Sequence, residues 1–250
     1  MSPFCPPEHF ETDQMSADPF QPRDAQQLFD NLLSDPRVTE YLPLVTHTSL
    51  EQTRLYIRLC TIGWNYGHAY MWALKDLELQ QIVGVLEMRA TLPRIEFGLM
   101  TSQKAGMKRF RPALEIFLKA LRWASRQDGV YRIQVTCDPN GKSASCVERL
   151  GFVYEAHLTH WEARPARNPP LGDMLMFSML HPFTQLTKLF EDESSPTQSS
   201  GAELILNNNV SKNIVTPTAT APIAKNVLET ELFPSYSKLQ PVTSGNSKTL

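Results

Sequence analysis

Lys104, Lys108, Arg109 and Arg111 surround a single glycine, Gly106, in the stretch TSQKAGMKRFRPALEIFLKALRWA from Thr101 to Ala124. Cations and a glycine directly before an amphipathic segment suggest chemistry with an anion. The first N–H groups of a helix have no partner inside it and lie at the positive end of its dipole. A loop that aims several of them at one point holds a phosphate or a carboxylate. Gly106 permits close approach or positive φ. A solvated basic turn fits the same residues, and this stretch leaves both readings open. A second candidate, the GKS at Gly141 to Ser143, has the ending of a nucleotide-binding P-loop. That motif requires a glycine where Thr136 stands, so it fails. The four cysteines, Cys5, Cys60, Cys137 and Cys146, show no CxxC spacing. No metal site is expected, and free thiols in a reducing cytosol are the simplest reading.

Periodicity supplies the elements that must position these groups. QPRDAQQLFDNLLSD puts Ala25, Leu28, Phe29, Leu32 and Leu33 on one helical face. THTSLEQTRLYIRLCTIGW reads as a second helix, with Thr48 and Glu51 or Ser49 and Gln52 as its capping box. AYMWALKD and QQIVGVLEMRA form a hairpin around a polar turn, and RIEFGLMTS is another strand. PALEIFLKALRWASRQ is a helix with an apolar stripe at Leu114, Phe117, Leu121 and Ala124, and with Pro112 in its first turn. VYRIQVTCD is a buried strand. NGKSASCVERLGF is a short helix with Asn140 as N-cap and Gly151 as left-handed C-terminal cap. FVYEAHLTHW and DMLMFSMLH are two closing strands. This order gives a mixed α/β domain.

The chain divides by composition. All four tryptophans and the clear periodicity lie before about residue 183. Residues 184–250 are rich in Ser, Thr, Asn and Pro and poor in aromatics, so they are expected to form a mostly disordered, low-complexity tail. Residues 1–10 are expected to be a flexible N-terminus, and 11–183 the folded domain. A net charge of -2 gives no bulk reason to expect nucleic-acid or anionic-membrane binding. The start MSPFCPPEHFETDQ lacks a basic region and an apolar core, so no secretory signal is expected and a cytoplasmic location follows. A monomer and a homodimer are both compatible with the sequence.

From about Glu11 to Leu180 the sequence resembles the GNAT family of acyl-CoA-dependent N-acetyltransferases, especially its Rim-type branch, which acetylates protein N-termini, and the small-molecule relatives of that branch. The most specific match is VYRIQVTCDPNGKSASCVERLGFVYEAHL, where Asn140, Ser143, Glu148, Gly151 and Phe152 fall at the family's spacing. IVGVLEMR, IEFGL and Asp173 in GDMLMFSML also fit. The resemblance implies a three-layer fold with a largely antiparallel central sheet flanked by helices. It implies acetyl-CoA as donor, an amine-bearing acceptor (a protein N-terminus or a small amine) and no metal. The family's pyrophosphate loop has the form Gln/Arg-x-x-Gly-x-Gly/Ala. Gln103 and Gly106 match it, while Lys108 replaces the last small residue. The resemblance therefore assigns the cofactor to Gln103, Lys104, Ala105, Gly106, Met107, Lys108 and Arg109. By the same resemblance backbone groups of Leu99 and Met100 pair with the pantetheine arm, Asn140 hydrogen-bonds that arm, and Ser143 contacts its sulfur end. Arg109 and Arg111 are expected to be mainly solvated.

Direct acyl transfer needs a neutral amine, and a lysine-like amine of pKa about 10.4 is neutral only about once in 2,000 molecules at pH 7. By resemblance Glu96 is the general base, Ser143 protonates the leaving thiolate, and His157 is a weaker candidate base. Lys108, Pro112 and Asp18 depart from the family pattern. A left-handed Lys108 would cost about 1–2 kcal/mol. These departures motivate a second reading, a catalytically impaired GNAT-like module that acts through its tail.

Overall fold

The computed structural model describes residues 4–104, 107–141 and 143–182. The stretch read as a tail lies outside the described residues, as do Ala105, Gly106 and Lys142. The first strands, β1 (Phe10–Glu11) and β2 (Met15–Pro19), precede a helical run. That run was expected as one helix. It is a 3-10 turn at Pro22–Asp24, then α1 (Ala25–Leu28), then a π-helical turn at Phe29–Leu33. Its side chains explain the irregular winding. Gln27 accepts from the Ile82 N–H at 2.7 Å, and Asn31 donates to the Ile82 carbonyl at 3.0 Å. Both backbone groups of one strand residue are thus met by a helix, as burial requires.

A short α2 (Pro36–Thr39) follows, capped by Asp35, and then α3 (Leu50–Asn65). Ser49 and Gln52 form the capping box of α3; Gln52 Oε1 accepts from the N–H groups of Thr48 at 2.7 Å and Ser49 at 3.1 Å. The expected hairpin is β3 (Ala69–Asp76) with β4 (Gln81–Thr91), and β5 (Arg94–Thr101) lies beside it. Next come α4 (Met107–Ser125), β6 (Arg132–Cys137), α5 (Ser143–Arg149), β7 (Val153–Ala163) and β8 (Leu171–Leu180).

Among the described residues eight strands make one sheet, in the order β1-β2-β3-β4-β5-β6-β8-β7. Neighbours are antiparallel except β5 and β6, which run parallel. Strand alternation builds a core on each face. Tyr70, Trp72 and Leu74 point with Leu86 and Met88 toward α4, where Ile116, Phe117, Ala120, Leu121 and Ala124 cover them. Met71, Ala73 and Val85 point the other way, onto Leu28, Leu32, Leu33 and Ile57. The result is three layers, and each fully buried Leu or Ile contributes about 1.5–3 kcal/mol.

Three local expectations need correction. The stripe of α4 is Ala113, Ile116, Phe117, Ala120, Leu121 and Ala124, with Leu114 only half-buried. Because α4 begins at Met107, Pro112 lies in its second turn, where it cannot bond the Lys108 carbonyl. Asn140 is not the N-cap of α5, which begins at Ser143; its N–H instead donates to Asp138 Oδ1 at 2.9 Å. At the other end of α5 Gly151 does sit at φ 85°, and the Phe152 N–H reaches back to the Val147 carbonyl.

Arg109 lies on the first turn of α4, and it is not solvated. Its Nε is 2.8 Å from Oδ2 of Asp76, whose side chain is 0% exposed, and its Nη2 reaches Glu78 at 3.0 Å. The Asp76 contact lies off the hydrogen-bond axis and is held by charge. The other Asp76 oxygen accepts from the N–H groups of Glu78 and Leu79, closing the hairpin turn. Arg109 therefore ties the start of α4 to the β3–β4 turn. Removing one partner of a buried pair strands the other. Arg109→Ala is expected to lower unfolding free energy by about 3 kcal/mol, measured by urea denaturation; a loss under about 1 kcal/mol would show that the pair is not structural.

Candidate active site

The ladder between β5 and β6 stops early. Arg94, Ile95, Glu96 and Phe97 pair with Arg132, Ile133, Gln134 and Val135, and there the pairing ends. β5 continues to Thr101 and β6 to Cys137, so the two strands diverge beyond Phe97 and Val135. Residues Gly98–Thr101 then have β4 on one side and, among the described residues, no strand partner on the other. Strand backbone groups without a partner can accept an extended ligand as an added strand. A cavity of about 560 Å³ opens at this split.

The cavity brings together many of the residues singled out in the sequence. Glu96, Leu99, Met100, Gln103, Asn140 and Ser143 all line it. Ser143 begins α5 beside Cys137, whose thiol pKa burial pushes up and Ser143 draws down. Ala105 and Gly106 lie outside the described residues, and so does the side chain of Met107. Lys104, Lys108 and Arg109 are not among the lining residues. Lys104 Nζ donates to the Asp30 carbonyl, and Arg109 is held by Asp76. Lys108 is exposed and sits within α4; among the described residues the non-glycine ones at positive φ are Gln80, His160 and His181. The left-handed strain expected at Lys108 is therefore absent, and its side chain points to solvent from a helical turn. His157 is paired with Asp173 at 2.9 Å and does not line the cavity.

Glu162 and Arg164 were missed in the sequence. Glu162 lines the cavity from β7 and Arg164 from just beyond the end of that strand. Leu158 pairs with Met174, but the next aligned residue, Glu162, pairs with Gly172. The extra residues form a bulge in which His160 has φ 49° and its N–H donates to Asp173 at 2.8 Å. The bulge slides Glu162 along β8 to the cavity. No sequence signal announces a left-handed histidine.

The charges meet at the cavity floor. Arg89 lies opposite Glu96 in the β4–β5 register, and its Nε contacts Glu87 at 2.6 Å. Gln134 Nε2 donates to Glu96 at 3.0 Å, so an amide holds that carboxylate. Arg164 Nη2 lies 2.8 Å from Glu162, with side-chain exposures of 1% and 18%. Burial raises the proton affinity of Glu162, while Arg164 and Arg89 pull it down and Glu96 and Glu87 push it up again. The same carboxylates hold the pKa of Arg89 above its ordinary value even though burial opposes its charge.

A sheet that splits between two parallel strands, with carboxylates and a serine at the split, has the architecture of an acyltransferase. The chain belongs to the GNAT acetyltransferase family: the GNAT acetyltransferase domain matches residues 17–153, more than half of its length. No curated protein matches the sequence significantly. Solved structures share the fold. A GNAT-family protein from Chromobacterium violaceum is 22% identical with TM-score 0.60, over 72% of this chain and 95% of that one. A GCN5-related N-acetyltransferase from Brucella melitensis is 16% identical with TM-score 0.62, over 82% and 97%. A ribosomal-protein α-N-acetyltransferase of the Rim type, solved with coenzyme A, is 17% identical with TM-score 0.58, over 70% and 99%.

Gly172 keeps the Glu162 arrangement open. A Cβ there would stand 2.8 Å from Arg164 Cγ and 2.9 Å from its Nε. Gly172→Ala is expected to push Arg164 off Glu162 and cost about 1–3 kcal/mol of stability. Loss of that cation raises the proton affinity of Glu162 further. The acid limb of any activity dependent on ionised Glu162 should then move to higher pH; a pH–rate profile that stays in place would show that Arg164 has not moved.

Proposed function

We propose that this protein is an acetyl-CoA-dependent N-acetyltransferase that acetylates a primary amine, in a reducing cytoplasmic setting that suits its unpaired cysteines. The observation that carries the reading is the divergence of β5 from β6, with Asn140, Ser143, Glu96 and Glu162 around the gap. The residues fit an acyl-thioester. The free edge at Gly98–Thr101 would take the donor's amide arm. The N–H groups of residues 107–109 at the start of α4, which have no acceptor within the helix, would face its phosphates. When bound, the donor supplies a carbonyl carbon activated by a thiolate leaving group.

The chain's own residues then manage protons. Glu162 accepts one from the acceptor ammonium, because burial lifts its proton affinity toward that of a working base. Glu96, held by Gln134, faces the same amine. The amine nitrogen forms the bond to carbon as the carbon–sulfur bond breaks. Ser143 donates a proton to the departing sulfur and is reprotonated from solvent. Lys108 lies in a regular helical turn, which removes the steric reason for an impaired cofactor site.

Two measurements test this reading. Acetyl-CoA at about 100 times its dissociation constant should stabilise the protein by about 2.7 kcal/mol, seen as a thermal shift. Glu162→Gln should keep that shift but reduce thiol release by about 10²–10⁴-fold. Ionised Glu162 is the active form, so the wild-type rate should rise with pH through a step above the ordinary carboxyl range, and the variant should lack that step. An unchanged rate in Glu162→Gln would remove it as the base.

A further inference from the structure

The acceptor half of the cavity combines a charged floor with an apolar wall. Glu87, Glu96 and Glu162 face Arg89 and Arg164, so three carboxylates meet two guanidinium groups. Each arginine is already in a close ion pair, Arg89 with Glu87 at 2.6 Å and Arg164 with Glu162 at 2.8 Å. At the rim Arg37 is held by Asp35 at 2.7 Å. The floor therefore carries one carboxylate charge in excess when its groups are ionised. Sheltered from water, an excess charge attracts one counter-charge strongly and offers nothing to a second.

The wall opposite is built from Val38, Leu42, Leu44, Tyr56, Met71 and Val85. The Tyr56 hydroxyl on it is occupied, since it donates to Met71 Sδ at 3.3 Å. A group lying on this wall finds apolar surface and no charge. A second ammonium would lose hydration there without gaining a partner. A carboxylate on the acceptor would meet the three glutamates.

We infer that the acceptor is a primary amine with a single positive charge and an apolar substituent that lies on the Val38–Leu44–Val85 wall. The inference rests on the transferase reading and names its substrate class. In the reaction this amine loses its ammonium proton, forms the amide bond and releases the donor as a free thiol. A free alkylamine and the α-amine of a peptide with an apolar first residue present the same chemistry.

The experiment is initial-rate thiol release from acetyl-CoA by the full chain. The acceptors are n-alkylamines from ethyl to hexyl, α,ω-diamines of matching length, and tetrapeptides beginning with leucine or aspartate. For the monoamines kcat/KM should climb about fourfold per added methylene until the wall is covered. Pentylamine should exceed 1,5-diaminopentane by about a hundredfold. Leu44→Asp, which puts a carboxylate on the wall, should narrow or reverse that gap. Use of the leucine peptide alone would support the inference with a polypeptide source, and use of the alkylamines alone would support it with a small-molecule source. A flat monoamine series, or preference for diamines or the aspartate peptide, would overturn the inference. Thermal stabilisation by acetyl-CoA in that case would leave the transferase reading standing. No thiol release with any acceptor and no stabilisation by acetyl-CoA would overturn both.

Discussion

The separation of β5 from β6 is the constraint around which the rest of the molecule is arranged. A sheet interior normally pairs every backbone group, since an unpaired buried group costs as much as a lost hydrogen bond. Here the ladder ends at Phe97 and Val135 although both strands go on. Such an opening persists only if the strands on either side are held by something else. β5 is held along its whole length by β4, from Arg94 to Thr101. β6 is held by β8 from Arg132 to Cys137. Each strand at the split is thus braced from outside, and the two core clusters on the opposite faces fix the braces.

Two buried ion pairs do further anchoring, and both join segments distant in sequence. Asp76 and Arg109 fasten α4 to the first hairpin. Asp138, at the end of β6, takes Arg167 at 2.8 Å through one oxygen and the Asn140 N–H through the other. Arg167 also lies 4.8 Å from the Tyr41 ring, so one guanidinium links the end of β6 to the loop that carries Tyr41. Buried pairs add little net stability over apolar packing, but they fix geometry, because a displaced partner leaves a charge stranded. That property suits a site in which Glu96, Glu162 and the Asn140–Ser143 stretch come from three separate segments.

What the sequence made legible was what short-range patterns encode. The α4 stripe has a period near 3.6, the β3 and β4 runs alternate, Ser49 and Gln52 stand at capping-box spacing, and Gly151 precedes the apolar Phe152. The site residues Glu96, Leu99, Met100, Gln103, Asn140 and Ser143 were reached through resemblance, and the cavity gathers them. The misreadings came where tertiary contacts override local preference. Proline at a first turn is the common case, so α4 was started too late. The π turn at Phe29–Leu33 answers to Ile82, more than fifty residues away. Glu162 and Arg164 reach the cavity through a bulge whose left-handed residue is a histidine, and no propensity marks it.

The basic cluster around Gly106 shows the same lesson from the other side. Four cations in one stretch looked like one electrostatic feature, yet the fold gives them separate tasks. Arg109 neutralises a buried aspartate, Lys104 caps a carbonyl of the π turn, Arg111 pairs along its own helix with Glu115 at 3.4 Å, and Lys108 stands in solvent. What remains for an anion at that place is the backbone: the first N–H groups of a nineteen-residue helix, with Lys108 as a solvated charge nearby. Phosphate binding by main-chain groups needs no particular side chain, only a helix start held in place. Arg109 and Asp76 hold that start, so a cation read as a ligand for phosphate instead positions the groups that could bind one.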